Sequence, residues 1–132
     1  MRDKSNDFPV GTILNPQSVA AAGNATSPFI DAGSAAWWLA LCQAGALGGG
    51  AATFKWRQAT DSSGTAAKDV TGNPGSATKA PTAGQGLYID LDPQALDLAN
   101  GFRFIALRVD NVGGTGALVS GAVQACNPRY GT

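Results

Sequence analysis

The sequence of 132 residues contains no histidine and no glutamate, and it has only two cysteines and one methionine. Without histidine, the Ser-His-Asp and Cys-His catalytic arrangements are excluded, together with the commonest transition-metal ligand. Without glutamate, the glutamate-to-lysine pairs that support exposed helices are missing as well. These absences predict a β-rich protein that is not an enzyme.

Long apolar runs and net charge are also missing. No run reaches the roughly 18 apolar residues of a membrane span, and the first eleven residues lack the apolar segment of a signal peptide. Nine Lys and Arg residues balance nine Asp residues, so the formal net charge is zero. We therefore expect no export by a signal peptide, no membrane partner and no direct nucleic-acid partner, because no overall field attracts a polyanion.

The few residues able to hold a metal or cofactor are poorly spaced for it. Cys42 and Cys126 match no metal or redox motif, and we expect two reduced thiols, with a disulfide as the alternative. Asp90, Asp92 and Asp97 resemble the start of a calcium loop, but the glycine and glutamate that an EF-hand needs are absent downstream. The sequence predicts no metal and no cofactor.

What the chain does contain is 18 glycines between short runs of alternating apolar and polar residues. This pattern predicts an all-β fold, an antiparallel two-layer β-sandwich or flattened barrel of about seven or eight short strands. Residues 1–16 are expected to form an extended N-terminal arm, and residues 17–132 a single domain. Within that domain, residues 61–86 are predicted to form a long polar loop with a brief strand near Lys68.

Several local structures are predicted within this framework. Gly101 to Ala125 reads as two strands joined by a glycine-rich hairpin, and Gln17 to Ala32 as a shorter hairpin. Asp92 is placed to cap a helical turn that begins at Pro93. The central strand is expected to supply the core with Phe102, Phe104, Ile105, Leu107 and Val109.

The most apolar run, Ala35 to Ala44, places two adjacent tryptophans on opposite faces of a strand. One of them must lie under a second layer or a loop, or at a protein interface, where aromatic residues are enriched. The N-terminal arm also carries apolar residues that are candidates for contact with a neighbouring chain. The predicted interface residues are Arg2, Lys4, Phe8, Val10, Ile13, Leu14, Trp37 and Trp38.

Four basic residues of the predicted strands could lie beside Trp56 in the folded protein. Lys55, Arg57, Arg103 and Arg108 could form a patch of the kind that binds single-stranded nucleic acid. Because the net charge is zero, the favoured interpretation is that they lie on outer strand faces in ion pairs with aspartates.

Three segments together resemble a known group of proteins: Phe54–Gly72 (FKWRQATDSSGTAAKDVTG), Gly101–Val109 (GFRFIALRV) and Asn127–Gly131 (NPRYG). The resemblance covers roughly residues 35–131 and is to small proteins encoded in the head modules of tailed bacteriophages. It implies a capsid decoration or cement protein that binds the major capsid protein on the outside of an HK97-type head, often as a homotrimer. The implied location is the outer surface of a virion assembled in the bacterial cytoplasm.

Two alternatives remain open at this stage. One is another virion structural role, such as head completion, tail tube or fibre attachment. The other is a carbohydrate-binding β-sandwich that uses Trp37, Trp56 or Tyr88 as stacking platforms.

Overall fold

The computed structural model describes residues 10–71 and 78–128, and this part of the chain forms two antiparallel β-sheets packed as a sandwich. The predicted all-β class is confirmed. Three short 3-10 helices connect strands, at Ala32–Ser34, Pro93–Ala95 and Leu98–Asn100. The strands are β1 (Val10–Val19), β2 (Asn24–Thr26), β3 (Ile30–Asp31), β4 (Ala35–Ala44), β5 (Ala52–Ala59), β6 (Lys68–Asp69), β7 (Gly86–Leu91), β8 (Phe104–Asn111) and β9 (Ala117–Pro128).

The strands divide into a four-stranded sheet, in the order β1-β9-β4-β7, and a five-stranded sheet, in the order β2-β8-β5-β6 with β3 beside β8. The predicted alternation holds along β4 and β5, so Trp38 and Phe54 point into the space between the sheets. Both buried indoles satisfy their N–H groups. Trp38 Nε1 donates to the Ala32 carbonyl at 3.0 Å, and Trp56 Nε1 donates to the Asp90 carbonyl at 3.1 Å.

The predicted hairpin from Gly101 to Ala125 is wrong. β8 pairs with β5, β2 and β3, whereas β9 pairs with β1 and β4, so the glycine-rich turn carries the chain from one sheet to the other. The hairpin predicted from Gln17 to Ala32 is wrong for the same reason, since β1 and β2 also lie in different sheets. Glycines that permit a positive φ suit a sheet crossing as well as a hairpin, and the local sequence does not distinguish them.

Three sheet crossings meet at one end of the sandwich: β1 to β2, β4 to β5, and β8 to β9. Asn111 is 2% exposed, and its side-chain amide donates to the Val19 carbonyl at 2.9 Å and the Thr115 carbonyl at 2.8 Å. Thr115 in turn donates its backbone N–H to the Gly48 carbonyl at 3.1 Å. The Asn111 side chain thus joins the β1–β2 crossing to the β8–β9 crossing. The backbone hydrogen bond between Thr115 and Gly48 joins the β4–β5 crossing to them.

The N-terminal arm is shorter than predicted. Residues 10–16 belong to β1, which pairs with β9 from Val10 opposite Gln124 to Val19 opposite Ala117. Two register shifts and Pro16 interrupt this strand, which hides the period of two that would identify it from sequence. The remainder of the predicted arm, residues 1–9, lies outside the described residues.

The predicted core of the central strand is correct in part. Ile105, Leu107 and Val109 are fully buried, as expected. Phe104 is half-buried on the outer face of the five-stranded sheet, and Phe102 is half-buried before the strand begins. The strand is apolar on both faces, so its periodicity does not show which face meets the core.

The start of the long polar loop is well ordered by local contacts. The Asp61 carboxylate accepts hydrogen bonds from the backbone N–H of Ser63 at 2.9 Å and of Thr65 at 3.1 Å. Gly64 has φ +81°, and an added Cβ would lie 2.9 Å from the Phe29 ring. The brief strand predicted near Lys68 is confirmed as β6. The predicted Asp92 cap is confirmed as well, because its carboxylate accepts a hydrogen bond from the Gln94 backbone N–H at 3.0 Å. Residues 72–77 of the loop lie outside the described range.

Truncating Leu107 should distinguish the true core from the outer face of β8. We expect Leu107→Ala to lower the free energy of unfolding by about 2–5 kcal/mol, because the side chain is fully buried between the sheets. Phe104→Ala, on the outer face, should cost clearly less than the about 3–5 kcal/mol of a core phenylalanine. Urea unfolding followed by tryptophan fluorescence measures both, and equal losses would contradict this placement of β8.

The crossing turn should tolerate a methyl group at one glycine and not at its neighbour. Gly113 and Gly114 have φ +85° and +72°, so alanine at either position costs about 1–2 kcal/mol of backbone strain. At Gly114 the new Cβ would also lie 2.3 Å from the Gly50 nitrogen, whereas at Gly113 it meets nothing within 4 Å. We therefore expect Gly114→Ala to lower the melting temperature much more than Gly113→Ala. Similar melting temperatures for the two variants would refute the close approach of the two crossings.

Candidate functional site

The outer face of the five-stranded sheet is charged, and its charges are paired with one another. Lys55 contacts Asp69 at 3.1 Å and Asp110 at 3.6 Å, Arg57 bonds Asp69, and Arg108 contacts Asp110 at 2.9 Å. The interpretation that these basic residues form ion pairs is confirmed. This surface offers a network of mutually satisfied charges, not an unopposed basic patch.

The remaining basic residues of the predicted patch region behave in the same way. Arg103 pairs with Asp31 at 2.9 Å, and Lys68 pairs with Asp97 at 2.6 Å while its Nζ lies 4.1 Å from the centre of the Phe102 ring. Trp56 is 2% exposed and cannot serve as a stacking platform for a base or a sugar. Its proposed role as such a platform is wrong.

The outer face of the four-stranded sheet is built differently, because the strand register brings apolar side chains into one row. Ile13 lies opposite Ala122, Ala122 opposite Leu41, and Leu41 opposite Tyr88. Cross-strand neighbours share a face and lie about 5 Å apart, so the row runs across all four strands.

This row continues along β4 through Leu39 and Trp37, and Trp37 lies opposite Cys126. The exposed fraction is 48% for Ile13 and 55% for Tyr88, while Trp37, Leu39 and Leu41 are half-buried. We call this surface the apolar face, and its residues are Ile13, Trp37, Leu39, Leu41, Tyr88, Ala122 and Cys126.

Charge is scarce on this side of the sandwich. Among the outward-facing residues that the structure describes in β1, β4, β7 and β9, none is Lys or Arg. Among the same described residues, the acidic side chain is that of Asp90, which lies on the edge strand β7 opposite Leu39. The two outer faces of the sandwich therefore differ in kind, one being ion-paired and the other apolar.

A shallow groove of about 470 Å³ opens beside the apolar face, where β1 is irregular. Leu118, which is 50% exposed, forms part of its wall. The groove has no charged side chain in its lining, which consists of Pro16, Gln17, Ser18, Gln43, Ala44, Gly45, Leu118, Val119 and Ser120.

The structure separates the predicted interface residues into three groups. Ile13 and Trp37 lie on the apolar face, and their role in a contact stays a prediction. Leu14 and Trp38 are 1% and 2% exposed in the core, so their assignment to an interface is wrong. Ile13 is adjacent to Leu14 in β1, and Trp37 is adjacent to Trp38 in β4. Because side chains alternate along a strand, one residue of each adjacent pair points outward and the other inward.

The other predicted interface residues are not placed by side-chain contacts. The backbone of Val10 begins β1 opposite Gln124. Arg2, Lys4 and Phe8 lie outside the described residues.

Sequence reasoning missed most of the apolar face. Leu39 and Leu41 share the face of Trp37 by simple alternation, which was visible in the sequence. Tyr88 and Ala122 join them only through the register between β4, β7 and β9, which no local pattern reveals.

The two cysteines are free and differ in environment. Burial raises the pKa of the Cys42 thiol to about 12, so this core thiol is unreactive near neutral pH. Burial also raises the pKa of Cys126, which is half-buried on the apolar face.

In residues 10–71 and 78–128, no group of three or more Cys or Asp residues could hold a metal ion. No helix in the same ranges is long and apolar enough to cross a membrane.

Comparison with protein-family models gives no match, and comparison with curated proteins gives none either.

The ion-paired face should make stability depend on acid. Burial acts to raise the pKa of Asp69, but hydrogen bonds from Arg57 and Lys55 outweigh it and hold the pKa below its ordinary value of 3.8. Asp69 therefore stabilises the fold above the unfolded pKa, and this stabilisation is lost as pH falls through the lower folded pKa. We expect Asp69→Asn to lower stability at pH 7 by about 1 kcal/mol or less and to flatten the acid limb. Urea titrations between pH 7 and 2 check this, and an unchanged acid limb would contradict it.

Proposed function

We propose that this chain is a structural protein of a phage virion, a decoration or cement protein that binds the outside of an HK97-type head and bridges its capsomers. It acts by binding and not by catalysis. The observation that carries the proposal is the contrast between the two outer faces, one ion-paired and one apolar. Such a contrast suits a domain that lies on a larger protein surface, because one side then meets protein and the other meets water.

The fold supports a scaffolding role. The crossings joined through Asn111 hold both sheets at one end, and the core between the sheets is continuous from Trp38 to Leu107. Small rigid domains lose little conformational entropy on binding, which favours their use as bridges.

The resemblance to phage head proteins supports the same role, and the contacts made by its motifs are consistent with a structural use of those residues. In the QATDSSG segment, Asp61 organises a turn and Gly64 makes room for the Phe29 ring. In the GFRF segment, Arg103 pairs with Asp31 at an exposed corner. These residues maintain the shape of the domain, so the function is expected to reside in its surface.

The proposed partners are the major capsid protein and further copies of this chain, arranged as a homotrimer. Multiple attachment points per particle raise the effective affinity without requiring a large contact from each copy. The N-terminal segment, with Arg2, Lys4 and Phe8, is proposed as one of these attachment points.

The test is binding to expanded shells assembled from the major capsid protein of the same genome. We expect the full chain to sediment with the shells in a copy number comparable to that of the capsid subunits. A few copies per particle would indicate a connector or fibre-attachment role, and no cosedimentation would refute the proposal.

Deleting residues 2–9 leaves β1 intact and tests the arm separately. We expect a folded protein with weaker binding, because one of the attachment points is lost. Occupancy equal to that of the full chain would show that the arm is not one of them.

A further inference from the structure

We propose that the apolar face is the surface that contacts the shell, and that its partner is an uncharged, apolar protein surface of the major capsid protein. This inference rests on the proposed function and adds which side of the sandwich binds and through what chemistry. The five-stranded sheet then faces solvent.

The charge distribution determines which face binds. On the five-stranded sheet, Lys55 lies between Asp69 and Asp110, so docking there would require desolvating charges that are already well paired. On the apolar face, the row from Ile13 to Tyr88 crosses four strands without a charged side chain. Covering that row removes apolar area from water and leaves no charge unpaired.

The same distribution defines the partner. A basic or acidic partner surface would find no opposite charge in the centre of the apolar face and would lose its own hydration. A surface of apolar and uncharged polar residues matches both the central row and the uncharged groove beside Leu118. Nucleic acid and charged peptides do not fit this chemistry.

The size of the face argues against a second copy as its occupant. Four strands spaced about 4.8 Å apart, over the six residues of β7, give a footprint of roughly 400 Å². Stable interfaces bury about 800 Å² on each partner, so two free copies joined by this face alone would not form a stable dimer. A shell lattice with additional contacts can use a patch of this size.

Cys126 provides a native probe of the proposal. It lies opposite Trp37 on the apolar face, and its thiol is half-buried, whereas Cys42 is fully buried and serves as an unreactive internal reference. A maleimide reagent applied to free and to shell-bound protein reports directly whether the apolar face is covered.

The experiment compares three forms of the full chain on expanded shells. For the parent, we expect cosedimentation and a labelling rate at Cys126 that falls at least about ten-fold on binding. The control is the double variant Cys126→Ser/Thr53→Cys, which moves the thiol to the outer face of β5 and should label equally fast when free and bound. Tyr88→Lys, which places a charge in the exposed row, should weaken binding about ten-fold or more, while Thr53→Lys should not.

Salt dependence gives a second readout. Raising NaCl from about 0.1 to 1 M shortens the Debye length from about 10 to 3 Å, and binding through the apolar face should not weaken. The same series on the free protein, in a sedimentation experiment, shows whether copies associate and protect Cys126 without shells.

The outcomes separate the two proposals. Absence of cosedimentation overturns the proposed function and this inference with it. Cosedimentation with Cys126 labelled as fast as in free protein, or with binding lost in high salt, leaves the proposed function standing and overturns the inference. Protection of Cys126 in free protein identifies a second copy as the occupant and also overturns it.

Discussion

The fold depends on the contact of three sheet crossings at one end of the sandwich. There the buried Asn111 amide joins the end of β1 to the turn before β9, and the Gly50 and Gly114 backbones approach too closely for any side chain at Gly114. Because each crossing changes sheets, fixing them together fixes how the two sheets face one another. These contacts help to set which side of each sheet points outward, and strand register then brings the residues of the apolar face together.

Local sequence predicted the strands well and their connections poorly. The alternation in β5 and β7 identifies which side chains point inward, because burial on one face imposes a period of two, whereas β4 is apolar on both faces. The partners of β8 and β9 were not predictable, since glycine-rich turns permit hairpins and crossings alike. β1 was missed because Pro16 and two register shifts interrupt its alternation.

The candidate site was predictable only where it lies on a single strand. Trp37 and Trp38 were both proposed, because adjacent residues of a strand point to opposite faces, but the sequence did not show which of them points outward. Tyr88 was considered as an isolated aromatic residue, and its place beside Leu41 depends on pairing between distant parts of the chain. A surface that forms only when distant strands pair in a particular register cannot be predicted from local motifs. The ion pairs of Lys55 and Arg57, by contrast, could be predicted from the equal numbers of basic and acidic residues.

The back-to-back placement of Trp37 and Trp38 has a spectroscopic consequence. Trp38 and Trp56 are enclosed in the core, while Trp37 lies at the surface beside Cys126. Intrinsic fluorescence therefore combines two signals of different origin, one that reports the integrity of the core and one that reports the surroundings of a single surface indole. The Trp37 component of the emission is therefore the one that responds to whatever covers that surface, while the other two indoles report the fold.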